Sequence, residues 1–293
     1  MASTRAARAL SPLTLALLIS QAAIVVTGGA VRLTGSGLGC PTWPECTPGS
    51  YVPIKNQAEG TLHSWIEFTN RLLTFVMVAI AIATLIAVFK AGRKDLRLIA
   101  IGQFLGIFGQ GVLGGITVLT HLNPISVASH FLLSTILIAA ATSLYSRRKS
   151  PAMRSKIRGQ VHNYSKVHVM WAAFVVILGT VVTGAGPHAG DFQAPRLHIR
   201  IQEAALLHGS AVVILLLFTI AFYLRKDISQ LTKRRLLGFL LLSLSQGAIG
   251  YIQYLQGVPQ LLVAAHLLGS TLVWIAAWQI WLSVQFREME TTR

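Results

Sequence analysis

The sequence predicts an all-α integral membrane protein whose eight transmembrane helices form two pseudo-symmetric four-helix bundles. Three observations predict it: eight long apolar runs, a one-sided distribution of Lys and Arg, and a motif that recurs at a fixed interval. Of the 293 residues, 53% are hydrophobic and only 12% are charged, whereas soluble domains carry roughly 25% charged residues. Such a chain is too apolar for a soluble globule or a disordered segment, and two cysteines are too few for a disulfide-rich secreted module.

A spanning helix needs about 20 mostly apolar residues. Runs of that kind fall at 11–31, 64–89, 97–119, 125–145, 167–186, 203–223, 235–256 and 259–283. The first follows Arg5 and Arg8 as a signal peptide would. It outlasts an h-region of roughly 7–15 residues, however, and passes Thr27-Gly28-Gly29 without an A-x-A site, so it is read as a retained span. With eight spans, both termini share one side with the connections 90–96, 146–166 and 224–234. Those segments, with Arg97 and Arg235 at their edges, hold 20 of the 25 Lys and Arg. Arg32, Lys55, Arg71, Arg196 and Arg200 lie towards the other face. The positive-inside rule therefore puts both termini in the cytoplasm, in a multi-pass protein of the cell membrane. The net charge of +16 becomes a topology signal, and it calls for the lipid bilayer as partner and for no nucleic acid.

An offset of 136 residues aligns Gly109-Gln110-Gly111-Val112-Leu113-Gly114 with Ser245-Gln246-Gly247-Ala248-Ile249-Gly250. The same offset aligns Val127-Ala128-Ser129-His130 with Val263-Ala264-Ala265-His266. Upstream, Val25-Val26-Thr27-Gly28 recurs as Val181-Val182-Thr183-Gly184 at an offset of 156, which first loops of unequal length would produce. The division implied is an N-terminal half, 1–150, and a C-terminal half, 151–293. An even number of spans in each gives both the same orientation, with the pseudo-symmetry axis along the membrane normal.

Ionisable residues inside a membrane are costly and default to functional candidates. His162 and His168 fall in or beside a cytoplasmic connection, and His121, His188 and His198 in or beside outer loops, where solvated or structural roles suffice. His63, His130, His208 and His266 lie within or at the outer ends of spans two, four, six and eight. Two imidazoles at similar depth on adjacent helices suit bis-His ligation of haem iron, and His208 and His266 fit that pattern. The alternative is a set of interhelical hydrogen bonds. Zinc is disfavoured for want of a third and fourth ligand.

The first half differs. His63, Glu67 and Asn70 are spaced i, i+4, i+7 and share one helical stripe. In the second half the counterpart of Asn70 is His208 and that of Glu67 is Ala205. A carboxylate present in only one repeat points to chemistry there; the competing reading is an i,i+4 ion pair with Arg71. Both cysteines, Cys40 and Cys46, lie in the first outer loop, on the side where disulfides persist. A disulfide is favoured over a redox-active dithiol or two free thiols. Arg32, Arg71, Arg196 and Arg200 are candidate partners for haem propionates, with snorkelling at helix ends as the alternative.

These residues resemble the haem A synthase family: V-V-T-G-G-A-V-R-L-T-G-S-G-L-G-C-P-x-W-P-x-C at 25–46, I-E-F-T-N-R at 66–71 and V-A-S-H at 127–130, with one His on each of spans six and eight. The resemblance implies haem b held by His208 and His266, and a haem O substrate site in the first half involving Glu67 and His130. It also implies a cysteine pair at Cys40 and Cys46. The reaction implied is oxidation of a haem O ring methyl to a formyl group through hydroxymethyl and gem-diol stages, giving haem A for cytochrome oxidase. Haem O synthase and cytochrome oxidase assembly factors are the protein partners so implied, and a homo-oligomer is left open. One departure matters: many members carry His three residues after the Glu, where this chain has Asn70. Either His63 substitutes, or His130 is the single ligand and one iron position stays open. The competing functions are a di-haem b electron-transfer cytochrome, which gives no reason for Glu67 in one half, and a parallel-repeat transporter. The transporter should show Gly/Pro-broken helices near the midplane, whereas the prolines here sit mostly in loops or at span ends.

Overall fold

The computed structural model describes residues 2–149, 153–154 and 159–287. Its elements in chain order are α1 (Ala2–Leu33), α2 (Thr61–Lys90), α3 (Lys94–Leu119), α4 (Pro124–Ser146), β1 (Met153–Arg154), α5 (Gln160–Ala185), α6 (Ile201–Tyr223), α7 (Gln230–Leu255), α8 (Gln260–Gln285) and β2 (Phe286–Arg287). All eight helices are long and apolar enough to cross a membrane, and the protein is a multi-pass membrane protein. Each expected span falls on one helix, but α1, α5 and α7 start several residues before their apolar runs. Hydrocarbon thickness sets the apolar run, whereas backbone hydrogen bonding carries a helix on into the polar boundary. The two-residue strands β1 and β2 pair antiparallel at the end of the bundle nearest both termini.

Helix starts follow local chemistry. Pro124 opens α4, where a missing N–H costs nothing, and Asn123 Oδ1 accepts the Ile125 N–H at 2.9 Å. Ser229 caps α7 by accepting from the Thr232 N–H at 3.1 Å.

Helices α1–α4 close into a ring, α1 packing on α2 and α4, and α3 on α2 and α4. Helices α5–α8 close in the same order, α5 on α6 and α8, and α7 on α6 and α8. Within each ring the second and fourth helices stand diagonally opposed. His208 on α6 and His266 on α8 therefore stand on diagonally opposed helices rather than on adjacent ones as the sequence suggested. The rings meet along α1–α8, α4–α8 and α4–α5.

Apolar packing alone does not hold helices together in lipid, so interhelical hydrogen bonds matter. Across the seam Trp274 Nε1 donates to the Thr135 carbonyl at 2.7 Å, and Trp278 Nε1 to Ser143 Oγ at 2.8 Å. Inside the first ring Gln21 Nε2 donates to Gln103 Oε1 at 2.9 Å, and Gln103 passes its own N–H to the Leu137 carbonyl, joining α1, α3 and α4. Inside the second ring the fully buried His168 pairs with Thr219 Oγ1 at 3.1 Å and packs edge-on against Phe239. That is the structural role expected of it. At the terminal end Asp95 binds both Arg93 and Arg147, tying the α2–α3 turn to the end of α4.

Candidate active site and cofactor site

The loop joining α1 to α2 is built onto the end of the α1–α4 ring. Gly39 lies so close to the first turn of α2 that a Cβ there would stand 2.3 Å from the His63 carbonyl oxygen, so only glycine fits. Gln57 Nε2 holds the Gly39 carbonyl at 2.7 Å. The next residue, Cys40, is fully buried and disulfide-bonded to Cys46, as its outer-loop placement suggested. Trp43 lies on α3 in the space left by Gly115, where a Cβ would come within 2.4 Å of the indole.

Glu67 anchors this loop from below. It is buried, and its Oε2 accepts the Cys40 N–H at 2.7 Å. Its Oε1 accepts from Arg71 Nε at 3.0 Å and Nη2 at 2.5 Å. Arg71 then donates to the carbonyls of Cys40 at 2.8 Å and of Thr42 and Glu45 at 3.1 Å. The guanidinium is thereby fully engaged with Glu67 and the loop, and the i,i+4 ion pair weighed as an alternative is present. A carboxylate has about four acceptor sites. Oε1 is filled by its two Arg71 bonds, while Oε2 carries one bond from protein and retains a lone pair.

The other residues on the α2 stripe are also held. His63 Nδ1 lies 2.9 Å from Ser36 Oγ, itself 2.8 Å from Thr34 Oγ1. Asn70 Oδ1 accepts from Thr27 Oγ1 of α1 at 2.7 Å. Across the ring, on α4, His130 is packed over Gly114 of α3, where an added Cβ would stand 3.4 Å from the imidazole Cε1.

The second ring repeats that arrangement with imidazole at both positions. His208 lies over Gly179 of α5 and His266 over Gly250 of α7, with the ring Cε1 at 3.5 and 3.3 Å from the would-be Cβ. His208 Nδ1 is 3.1 Å from the Val175 carbonyl oxygen. A carbonyl only accepts, so Nδ1 carries the proton and the Nε2 lone pair is left free for a metal. His130 and His266 hold Nδ1 buried without a partner in hydrogen-bond geometry. Of the glycines under the three imidazoles, sequence reading saw Gly114 and Gly250 only as repeat markers and did not single out Gly179.

Of the arginines at the end of the bundle away from the termini, Arg200 forms an exposed pair with Glu203. Arg32 Nη2 donates to the Thr183 carbonyl of α5 at 2.7 Å, and Arg196 Nη2 to the Pro187 carbonyl at 2.6 Å. His188 is bound to the Val258 carbonyl at 2.7 Å, a structural role.

The model of the COX15-CtaA family, cytochrome oxidase assembly protein, matches residues 12–190. The chain belongs to that family. The matched stretch takes in α1 from residue 12 onward, the disulfide loop with its Glu67–Arg71 anchor, α2–α4, α5 and the start of the connection between α5 and α6. Among curated proteins, the heme A synthase of Exiguobacterium sp. (strain ATCC BAA-1283 / AT1b) is 24% identical over 241 residues, covering 77% of each chain. The heme A synthase of Azorhizobium caulinodans is 28% identical over 311 residues, covering 87% of this chain and 88% of its own. The heme A synthase of Geobacillus thermodenitrificans is 31% identical over 127 residues, 41% of this chain and 37% of its own. In this COX15-CtaA protein the segment beyond the family match holds His208 and His266, so the paired imidazoles rest on the geometry of the second ring.

Proposed function

We propose that the protein is a haem A synthase, an oxidoreductase that converts a ring methyl of haem O to a formyl group. The methyl passes through a hydroxymethyl and then a gem-diol, which loses water to give the aldehyde of haem A. The observation that carries this reading is an asymmetry between two rings packed in the same order. The α5–α8 ring has imidazoles on its diagonal helices at His208 and His266, whereas the α1–α4 ring has His130 on α4 and Asn70 at the α2 counterpart of His208, together with a buried carboxylate beneath a disulfide-closed loop.

The α5–α8 ring is the haem b half, 151–293, where His208 and His266 would hold the iron. The donor set fits: imidazoles on diagonal helices, a free Nε2 lone pair on His208, and a glycine beneath each ring that lets it sit against the neighbouring helix. Haem b bound there supplies one-electron redox chemistry. The α1–α4 ring is the substrate half, 1–150. His130 would hold the iron of the haem O substrate, while Asn70, engaged with Thr27, places an amide where the other ring has His208. His63 borders the site from the loop end through Ser36. Glu67 is the catalytic residue, with Oε2 as the atom that takes up and returns protons as the methyl carbon is oxidised. Arg71 and the Cys40 N–H fix its position, and the loop they hold excludes water above it.

The pairing of helices supports two equivalent halves, since exchanging α1–α4 for α5–α8 maps the packing pairs onto one another. The basic connections support a cell membrane topology with both termini cytoplasmic. Haem O synthase as donor and cytochrome oxidase assembly factors as receivers complete the proposed path. Extraction of the pigment from purified protein tests the assignment. Haem B together with haem O or haem A is expected; two equivalents of haem B and nothing else would make the protein a di-haem cytochrome instead.

A further inference from the structure

Four arginines stand towards the outer face of the membrane, and the structure separates them into two kinds. Arg71 is bound to Glu67 and Arg200 to Glu203. Arg32 and Arg196 have no carboxylate within 4.0 Å among the described residues. They come from different rings, yet Arg32 Nη2 binds the Thr183 carbonyl while Leu197, the residue after Arg196, donates its N–H to the next carbonyl, that of Gly184, at 2.9 Å. The two outer loops bring them together: the Gly37 N–H donates to the Gly190 carbonyl at 2.8 Å, and a Cβ on Gly190 would stand 3.6 Å from the Arg32 Cα. Arg32 Nε is buried with no hydrogen-bond partner. Partial burial pulls the Arg196 guanidinium below its usual range, and Asp191 opposes this only from a distance. Two like charges held together with a donor unsatisfied are costly unless an anion joins them.

Their position says which anion. Arg32 is bound to Thr183, one helical turn outward along α5 from Gly179, on which His208 rests. Three residues before Arg32, Gly29 packs on Leu267, the neighbour of His266 on α8. Arg32 therefore overhangs the α5–α8 wall of the second ring, about one turn outward of both proposed ligands. We infer that Arg32 and Arg196 together clamp a carboxylate of the haem held by His208 and His266, so that the first ring supplies part of the second ring's cofactor site. The clamp rests on the haem b reading above. Guanidinium forks match carboxylate geometry, and a carboxylate paired in this way stays ionised.

The test is a spectroelectrochemical titration of haem b in the purified full-length protein in nanodiscs. A paired carboxylate is neutralised, whereas an unpaired one stabilises the ferric charge and lowers the potential. Arg32→Gln and Arg196→Gln are each expected to reduce the reduced-to-oxidised ratio at fixed potential about tenfold, which is about 59 mV for one electron. Each should also make the potential vary with pH near neutrality, because the carboxylate is no longer held ionised; loss of a merely through-space charge would not do this. Arg32→Lys and Arg196→Lys, which keep the charge and are less disruptive to folding, should fall between wild type and the Gln variants. Haem b retained with unchanged potential and unchanged pH dependence in both Gln variants overturns the clamp. A shift seen in anionic-lipid discs but absent in zwitterionic ones assigns the pair to a lipid phosphate and overturns it as well. If His208→Ala and His266→Ala both keep an unaltered bis-His spectrum, the haem b reading fails first and the clamp falls with it.

Discussion

Replacing Glu67 by Gln keeps shape and removes charge. The pair it forms with Arg71 is mostly shielded, with side chains 8% and 21% exposed. Exposed pairs are worth about 0–1 kcal/mol, and breaking a buried one costs about 3–5 kcal/mol. A value of about 2 kcal/mol fits this intermediate burial. The Cys40 N–H that Glu67 accepts reports on the loop directly. A loss of about 2 kcal/mol raises the open fraction of the loop about thirtyfold, and hydrogen exchange of a peptide spanning 36–57 should speed up by that factor. The expected pigment outcome of Glu67→Gln is full haem b, accumulation of haem O or its hydroxymethyl form, and no haem A. Arg71→Gln loosens the same loop but leaves the carboxylate, so it should retain measurable haem A production. Near-normal haem A from Glu67→Gln at matched protein levels would refute the catalytic role. Equal losses from Glu67→Gln, Arg71→Gln and the double variant would reduce Glu67 to a loop anchor.

Further outcomes follow from other contacts. His208→Ala and His266→Ala should each abolish the low-spin haem b spectrum while leaving the protein folded, checked by absorption and circular dichroism. Gly39→Ala puts a methyl against backbone that has nowhere to go; a cost of roughly 1–3 kcal/mol or more should appear as a lower unfolding temperature and faster exchange of the same loop peptide. Trp274→Phe removes the hydrogen bond to the Thr135 carbonyl, worth about 1 kcal/mol, and should lower thermal stability in detergent without altering the haem b spectrum.

The sequence carried the helices well because lipid demands long apolar runs, yet it could not locate their ends. At α5 the helix begins at Gln160, inside what charge alone marked as a connection, since Lys166 and its neighbours are helical while facing the polar boundary. The pairing of Glu67 with Arg71 was legible from their spacing. The fate of Arg71's remaining donors was not, because the carbonyls of Cys40, Thr42 and Glu45 have no signature in side-chain identity. Ring order was misread for a related reason: periodicity assigns a residue to a face of its own helix and says nothing of which helix lies opposite. Gly114, Gly179 and Gly250 stood in plain view, two of them within the repeat, but a glycine reveals its purpose only when the imidazole above it is seen.

Helix α8 touches α1, α4, α5 and α7, and it is the last of the eight to be synthesised. While the earlier helices enter the bilayer, the seam that Trp274 and Trp278 close on α4 stays unmade, Gly29 of α1 has no Leu267 to rest on, and His208 faces no imidazole. Maturation is thus gated from the C-terminal end: a ribosome stalled before residue 260 leaves the α5–α8 ring open, and the α1–α4 ring closed but without the seam that α8 makes on α1 and α4. The arrival of a single helix converts seven inserted segments into a unit able to hold a cofactor.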